Sequence, residues 1–368
     1  MSTLFFYGTL RHAPLLAIVL GRPVDTLQIA QDTLPNMRTD AVAEGPFPML
    51  VDHPGAQAAG LVVTDLSDTD RARLDYYEGG FDYDTERRVT AAGAAVEVYR
   101  TASAAWTSAG PWDFDAWRVR WALMTEHAAR EVMSGFGHVS PEEIARRFPR
   151  IRARAWSKVL AANPRHGAGT LQGKVDVMHR AQAYSDFFAI EELKVRHERF
   201  DGSMSDPLER AVFVATDAAF LLPYDPVRDR VLLVEQIRMG PIGRCDPVLW
   251  QKEPIAGFVD AGEQPIDAAR REAEEEAGLT LDAIEEVAAC YPSPGATTEF
   301  YHLFVGLCDL PDDTAGIGGL PEEGENIRAQ LMSFDALLHM AETRQAGNVP
   351  LALLTYWLAH HRARLRMG

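Results

Sequence analysis

Cysteine is scarce in this chain: three residues, Cys245, Cys290 and Cys308, among 368. An odd count without paired ligand spacing excludes a disulfide framework and a zinc-finger type of site, and it suits a reducing compartment. The three thiols are therefore expected to be core or inert groups. Basic charge is also short, with 36 Lys and Arg against 53 Asp and Glu and a formal net charge of −17. Nonspecific nucleic-acid binding needs a basic surface that displaces counterions from phosphates, so nucleic acid is excluded as a partner. No apolar run approaches the ~20 residues of a membrane span, which excludes a membrane partner. The opening MSTLFFYGTL lacks a basic leader and a long apolar stretch, so the protein is expected to be cytoplasmic.

What is present suits a folded, two-domain protein. The hydrophobic fraction is 47%, charged residues make up 24% and aromatics 9%, which leaves little room for extended disorder. The length exceeds one ordinary domain. Residues 1–110 carry 8 basic and 14 acidic side chains, 111–169 carry 10 and 6, and 170–368 carry 18 and 33. The acidic excess therefore sits in the C-terminal part, and the basic middle reads as a solvated connecting helix.

The runs Leu4-Phe5-Phe6-Tyr7, Gly60 to Val63 and Val96 to Tyr99 read as strands. From Trp112 the spacing of Trp117, Trp121 and Met124 turns helical, and Ser140-Pro141-Glu142-Glu143 is a helix start. The run Asn163-Pro164-Arg165-His166-Gly167-Ala168-Gly169 breaks any helix and marks a boundary. Three segments follow: a mixed α/β domain over 1–110, a helical linker over 111–169 and a second domain over 170–368. In the second, Val212 to Ala215, Ala218 to Pro223 and Val231 to Gln236 read as strands of a β-meander, and Pro350 to about Leu365 as a terminal helix.

The chemistry is densest in GFVDAGEQPIDAARREAEEEAGL, residues 257–279. Pro265 suits a first helical turn, Asp267 its positive end and Gly278 the left-handed residue that ends it. On that helix Glu272, Glu275 and Glu276 stand at i, i+3 and i+4, so three carboxylates share one face. Unpaired they repel, and hard oxygen ligands gathered this way suit Mg²⁺, with Mn²⁺ as the alternative. Gly257 and Gly262 bracket a loop before the helix. The plainer reading is a solvated acidic face, but the spacing of the fixed residues matches G-x5-E-x7-R-E-u-x-E-E-x-G-u (u small or apolar) at every position, from Gly257 and Glu263 through Arg271-Glu272 to Gly278.

With that match, residues 170–368 resemble the Nudix hydrolases, and the ADP-ribose pyrophosphatase branch in particular. Phe187-Phe188, Glu209-Arg210, Leu222 to Pro226, Glu235 to Arg238, Ala256-Gly257 and Ser293-Pro294-Gly295 support the branch. The resemblance implies an α/β/α sandwich and hydrolysis of ADP-ribose to AMP and ribose 5-phosphate. It implies Glu272 and Glu276 as main metal ligands, Glu275 assisting and the Ala256 carbonyl completing the shell. In the late loop Gly319 to Asn326, Glu323 matches the branch's general base and Glu325 a further metal-associated carboxylate. Arg238 and Arg210 are candidates for the pyrophosphate or terminal ribose, Phe188 for stacking on adenine, and Glu299 for a further substrate contact. The resemblance also implies a homodimer through this domain. GDP-mannose or another nucleotide sugar is the alternative substrate, and a non-hydrolysing ADP-ribose sensor the alternative class.

Phe6-Tyr7-Gly8-Thr9-Leu10, Leu74 to Gly79, Tyr83 and Arg87-Arg88-Val89 resemble the gamma-glutamylcyclotransferase-like family, whose fold is a mixed barrel. A turn at Gly8 exposes backbone N–H groups suited to a carboxylate, so Tyr7, Gly8, Thr9 and Leu10 are candidate substrate-binding residues. Glu78 matches the family's acid/base, and Gly45-Pro46-Phe47-Pro48 its pocket-lining loop. The rival role for this domain is a non-catalytic module.

Overall fold

A computed structural model describes residues 2–81, 83–101, 106–162, 169, 171–318 and 326–367. The chain forms two compact units. One holds residues 1–169 with 185–187, the other 170–184 with 188–368. The boundary expected at Asn163 to Gly169 falls almost wholly outside the described residues.

In the first unit the chain runs β1 (Ser2–Phe6), α1 (Ala13–Leu20), β2 (Gln28–Val42), β3 (Gly45–Leu66), α2 (Asp68–Glu78), β4 (Tyr83–Val89), β5 (Ala95–Thr101), β6 (Ser108–Pro111), α3 (Phe114–Ser134) and α4 (Pro141–Ala161). Its six-stranded mixed sheet has the order β4-β5-β1-β3-β2-β6, with β1 parallel to β5 and antiparallel to β3. The apolar opening of the chain becomes the sheet's centre because Leu4, Phe5 and Phe6 are all buried. Ser67 starts α2 with a reciprocal capping box to Asp70, and Arg22 donates two hydrogen bonds to the same carboxylate. Ser140 and Pro141 start α4 as the sequence indicates.

The segment read as a solvated bridge is part of this unit. Trp117, Met124, Ala128, Ala129 and Val132 of α3 are buried, as are Ile144 and Ile151 of α4, and Arg154 is buried against Glu131. Ala128 and Ala129 are small enough for close helix packing, and of the basic side chains that suggested solvent, Arg118 and Arg120 are exposed whereas Arg154 is buried.

The second unit begins with a three-stranded sheet of β7 (Val175–Ser185), β8 (Ala189–His197) and β9 (Leu208–Val214). The chain continues through β10 (Asp217–Asp225), β11 (Arg230–Ile237), α5 (Met239–Arg244), β12 (Trp250–Glu253), β13 (Ile255–Phe258), α6 (Pro265–Ala277), β14 (Ala283–Cys290), β15 (Phe300–Leu307), β16 (Gly316–Gly318), β17 (Ile327–Ser333), α7 (Phe334–Glu342) and α8 (Val349–Leu365). The larger sheet is not a meander. Strands β10 and β11 form a hairpin, but the other neighbours of β10 are β13 and the parallel β15. Alternation along β10 separates two layers. Leu222 and Tyr224 join Leu337, Leu351, Leu354 and Leu358 of α7 and α8 in one core, against which Phe220 packs. Ala219, facing the other way, is paired with Gly257, over which α6 lies. This is the expected α/β/α sandwich. Of the thiols, Cys308 is buried, Cys290 half-buried and Cys245 exposed.

Candidate functional site

Helix α6 carries the acidic motif and is built as its end signals indicate. Pro265 occupies its first turn with Asp267 beside it, and Gly278 ends it in the left-handed conformation at φ 61°, its N–H donating to the carbonyls of Ala273 and Glu274. Ala268, Ala269 and Ala273 form the buried stripe.

Gly257 has a different reason for being glycine than the sequence suggested. It lies inside β13, not at the head of a loop, and a Cβ there meets Glu272 Oε1 at 1.7 Å and Cδ at 2.0 Å. The Glu272 carboxylate therefore rests directly on the Gly257 backbone, next to Ala256. The left-handed turn residue before the helix is Gly262, at φ 93°.

A residue that sequence reasoning did not single out organises the carboxylates. Arg271 donates to Glu263 at 3.1 Å, to Glu272 at 2.6 Å and to Glu275 at 3.0 Å, and also to the Phe258 carbonyl. Burial works against its charge, yet the hydrogen bond to Glu263 and the field of Glu272 hold the guanidinium pKa above its usual range. The i,i+4 pairing with Glu275 was the available sequence signal. Glu275 is exposed, Glu272 half-buried and Glu276 buried at 6% exposure. Among the described residues no group of three or more acidic, His or Cys side chains is drawn together as a metal cage, because Arg271 spreads Glu263, Glu272 and Glu275 around itself. Glu323 and Glu325 lie outside the described residues, but Gly318, just before their segment, lies against the Glu276 backbone, its Cβ position 2.9 Å from that carbonyl oxygen.

The remaining candidates of this unit are more dispersed. Arg238, at the end of β11, grips the buried Glu253 with three hydrogen bonds of 2.8 to 3.1 Å, so at least part of its task is structural. Arg210 on β9 is exposed and donates to the carbonyl of Glu209. Phe188 is 36% exposed, its ring 4.8 Å from that of Phe213. Glu299 is half-buried, burial raises its pKa, and it accepts a hydrogen bond from Tyr301. Ser293-Pro294-Gly295 is an exposed stretch.

In the first unit the sequence candidates converge. A cavity of about 110 Å³ is lined by Tyr7, Gly8, Thr9, Leu10 and Glu78, with Pro46, Phe47 and Pro48 of β3 among its walls. Gly8 fits there because a Cβ would stand 2.9 Å from the Pro48 ring. Glu78 ends α2 and shows a face to the cavity while protein surrounds it. Burial pushes its carboxyl up to about 7. Burial likewise raises Tyr7 and Tyr83, with Glu78 adding to both shifts, so these phenols stay neutral donors beside the acid. Sequence reading did not bring helices α3 and α4 here, yet Met124, Thr125, Ala128 and Val132 of the first and Phe148 and Arg152 of the second complete the wall.

Comparison with known proteins matches residues 215–352 to the NUDIX domain and residues 4–114 to "Gamma-glutamyl cyclotransferase, AIG2-like". The chain is 37% identical over 190 residues to the ADP-ribose pyrophosphatase of Escherichia coli strain K12, covering 51% of this chain and 90% of that protein. It is 32% identical over 201 residues to the ADP-ribose pyrophosphatase of Haemophilus influenzae, covering 54% and 91%. It is 28% identical over 151 residues to the GDP-mannose pyrophosphatase of Yersinia enterocolitica, covering 41% and 78%.

Proposed function

This chain belongs to the Nudix hydrolases, and we propose that its second unit hydrolyses ADP-ribose to AMP and ribose 5-phosphate with magnesium. The observation that carries the reading is the seat of Glu272 on the Gly257 backbone, which fixes one box carboxylate. The donor set fits a small hard cation: Glu272, Glu275, Glu276 and the Ala256 carbonyl offer only oxygen, and Glu325 adds one more carboxylate. Bound there, magnesium neutralises the diphosphate and makes its phosphorus more electrophilic. Arg271 holds the carboxylates in place, Glu323 takes the proton from the attacking water, and Arg238 and Arg210 face the substrate's anionic groups. Phe188 and Glu299 serve the adenine and ribose side.

ADP-ribose is favoured over GDP-mannose because the relatives named for the former share more identity over more of their length. A sensor that merely binds ADP-ribose is disfavoured because Glu272, Glu275 and Glu276 are all retained. We also propose a homodimer. Phe188, Ile190 and Phe213 gather exposed apolar surface on β8 and β9 and the turn before them, the kind of patch that associates. The deciding experiment is a panel of ADP-ribose, GDP-mannose and other nucleotide sugars, each with and without Mg²⁺, alongside Glu276→Gln. ADP-ribose turnover that needs the cation and is lost in a folded Glu276→Gln protein supports the reading; a fully active variant removes the metal assignment.

For the first unit we propose gamma-glutamyl cyclotransferase chemistry, favoured over a passive module by the buried Glu78 at the cavity wall. The ionised Glu78 takes a proton from the substrate's α-amine as that nitrogen attacks the γ-carbonyl. The C–N bond to the leaving amine breaks, the proton passes to that amine, and 5-oxoproline is released. Loss of 5-oxoproline release in Glu78→Gln tests it.

A further inference from the structure

Of the phenols that line the cavity with Glu78, Tyr99 stands apart by where its hydroxyl points. Tyr83 donates to the Pro48 carbonyl, an amide oxygen that does not pass a proton on. Tyr99 is buried on β5 and donates at 2.6 Å to Oδ1 of Asp75, whose side chain is 46% exposed. One side chain thus borders both the cavity and a carboxylate in water.

Two short spacings build this link. Asp75 and Glu78 stand at i and i+3 on α2, on neighbouring turns of one helix face. Glu97 and Tyr99 stand at i and i+2 on β5, on one side of the sheet. Arg71, one turn before Asp75, donates to it at 2.8 and 2.9 Å and also to Glu97, which fixes the acceptor against the strand. Burial, the bond to Asp75 and the charge of Glu78 all raise the pKa of Tyr99, so it stays a neutral phenol. Such a group relays a proton by accepting one at its oxygen as it gives up its own.

Cyclisation leaves a proton to be disposed of. An α-amine is mostly ammonium at neutral pH, and it must lose one proton before its lone pair attacks and a second as the ring closes. Glu78 can take the second only if it has already been relieved of the first. Substrate occupies the cavity at that moment, so the first proton has to leave through the wall.

We propose that Tyr99 and Asp75 are the proton route that returns Glu78 to its ionised form during turnover. The inference rests on the cyclotransferase reading of Glu78 and deepens it. The ammonium N–H bond breaks, and its proton passes by way of Glu78 to the Tyr99 oxygen as the Tyr99 proton moves to Asp75 and on to water. Glu78 then takes the second proton and gives it to the leaving amine, which regains one from solvent, so no proton is consumed.

The test uses the full chain with γ-glutamyl-alanine at low buffer concentration, read as 5-oxoproline release. Asp75→Asn keeps an oxygen for Tyr99 to bond but cannot take its proton, and Tyr99→Phe removes the hydroxyl. Each is expected to lower kcat at least about tenfold with KM little changed. Because the two act in series, the double variant should cost no more than Tyr99→Phe alone. Added imidazole is expected to restore Asp75→Asn, standing in for the carboxylate at an exposed position, and to leave Tyr99→Phe low. A purely structural loss would not respond to imidazole. An unchanged kcat in either variant, or a loss in Asp75→Asn that imidazole leaves unrepaired, overturns the proposal. Circular dichroism checks folding, and if Tyr99→Phe fails to fold, the imidazole response of Asp75→Asn decides. If wild type releases no 5-oxoproline, the cyclotransferase reading fails, and proton exchange at the Glu78 carboxyl then decides on the route alone. It is read by carboxyl-carbon NMR of glutamate-labelled protein at about pH 7, with Glu78→Gln identifying the signal. Exchange slowed in Asp75→Asn and restored by imidazole sustains the route; equal exchange in wild type and Asp75→Asn refutes it.

Discussion

Replacing Gly257 with alanine isolates the contact on which the hydrolase reading depends. The new methyl would stand 1.7 Å from Glu272 Oε1 and 2.0 Å from Cδ, where ordinary contact is about 3.5 Å. The carboxylate must therefore retreat by roughly 2 Å. Because the obstructing atoms end a flexible side chain, the strand itself can stay. The expected stability loss is the 2.6 Å bond from Arg271, discounted because the arginine is 31% exposed, hence about 1 kcal/mol. For a unit of this size that lowers Tm by roughly 2 to 4 °C. Activity is affected far more, since a ligand to a small cation must sit within about 0.2 Å of its place. We expect magnesium-dependent ADP-ribose turnover to fall at least about 100-fold, while circular dichroism and melting report a folded protein. The assay is AMP formation at saturating Mg²⁺, with kcat and Tm measured on one preparation. Turnover within about threefold of wild type would refute the argument, because it would mean that Glu272 need not occupy its seat on Gly257.

Other expectations follow from particular contacts. Glu78→Gln should raise the melting temperature of the protein at about pH 8 relative to wild type. The Glu78 carboxyl titrates near 7 in the folded protein against an ordinary 4.5, so its contribution is present below the ordinary value and is lost as pH rises through about 7, a change on the order of 2 kcal/mol. A pH-independent difference between the two proteins would contradict the burial that raises it. By the same sign, 5-oxoproline release by wild type should rise as pH climbs through about 7, since the ionised form takes the proton; a flat profile would deny Glu78 that step. Arg238→Ala should destabilise the second unit by roughly 3 kcal/mol, because it strands Glu253, whose side chain is 9% exposed; a raised KM for ADP-ribose with an unchanged denaturation midpoint would instead make Arg238 purely a substrate ligand. Phe213→Asp should convert the proposed dimer to monomer in analytical ultracentrifugation, and a wild-type protein that sediments as a monomer at micromolar concentration would dispose of that interface.

Local signals in the sequence carried far where one element settles the matter. Helix α6 was legible to its ends because Pro265, Asp267 and Gly278 are end signals that act within a turn of themselves, and α8 followed from apolar spacing alone. Non-local pairing was not legible: the parallel contact of β10 with β15 joins segments separated by the whole acidic motif, and nothing in either strand names its partner. The burial of α3 was hidden for a related reason. Trp117, Trp121 and Met124 announce a helix with an apolar face, but periodicity does not say whether that face meets a sheet or a partner. The charge count then misled, since Arg154 is basic and yet buried on Glu131.

The acidic motif shows the same division at the scale of a site. Its spacing placed Glu272, Glu275 and Glu276 on one face of a helix, and the fold keeps them there. What spacing left open is how three carboxylates coexist before any cation arrives. Arg271 answers that for two of the three, its guanidinium in contact with Glu272, Glu275 and the upstream Glu263 at once. With the acids held in this way, their mutual repulsion is offset in the folded protein. Arg271→Lys keeps a charge but loses the fork that reaches several acids together. It should therefore weaken Mg²⁺ activation, raising the magnesium concentration for half-maximal turnover by about tenfold, with KM for ADP-ribose at saturating metal little changed. Were the half-maximal magnesium concentration unmoved, Arg271 would be an ordinary surface ion pair and the order of the carboxylates would have to come from the Gly257 seat alone.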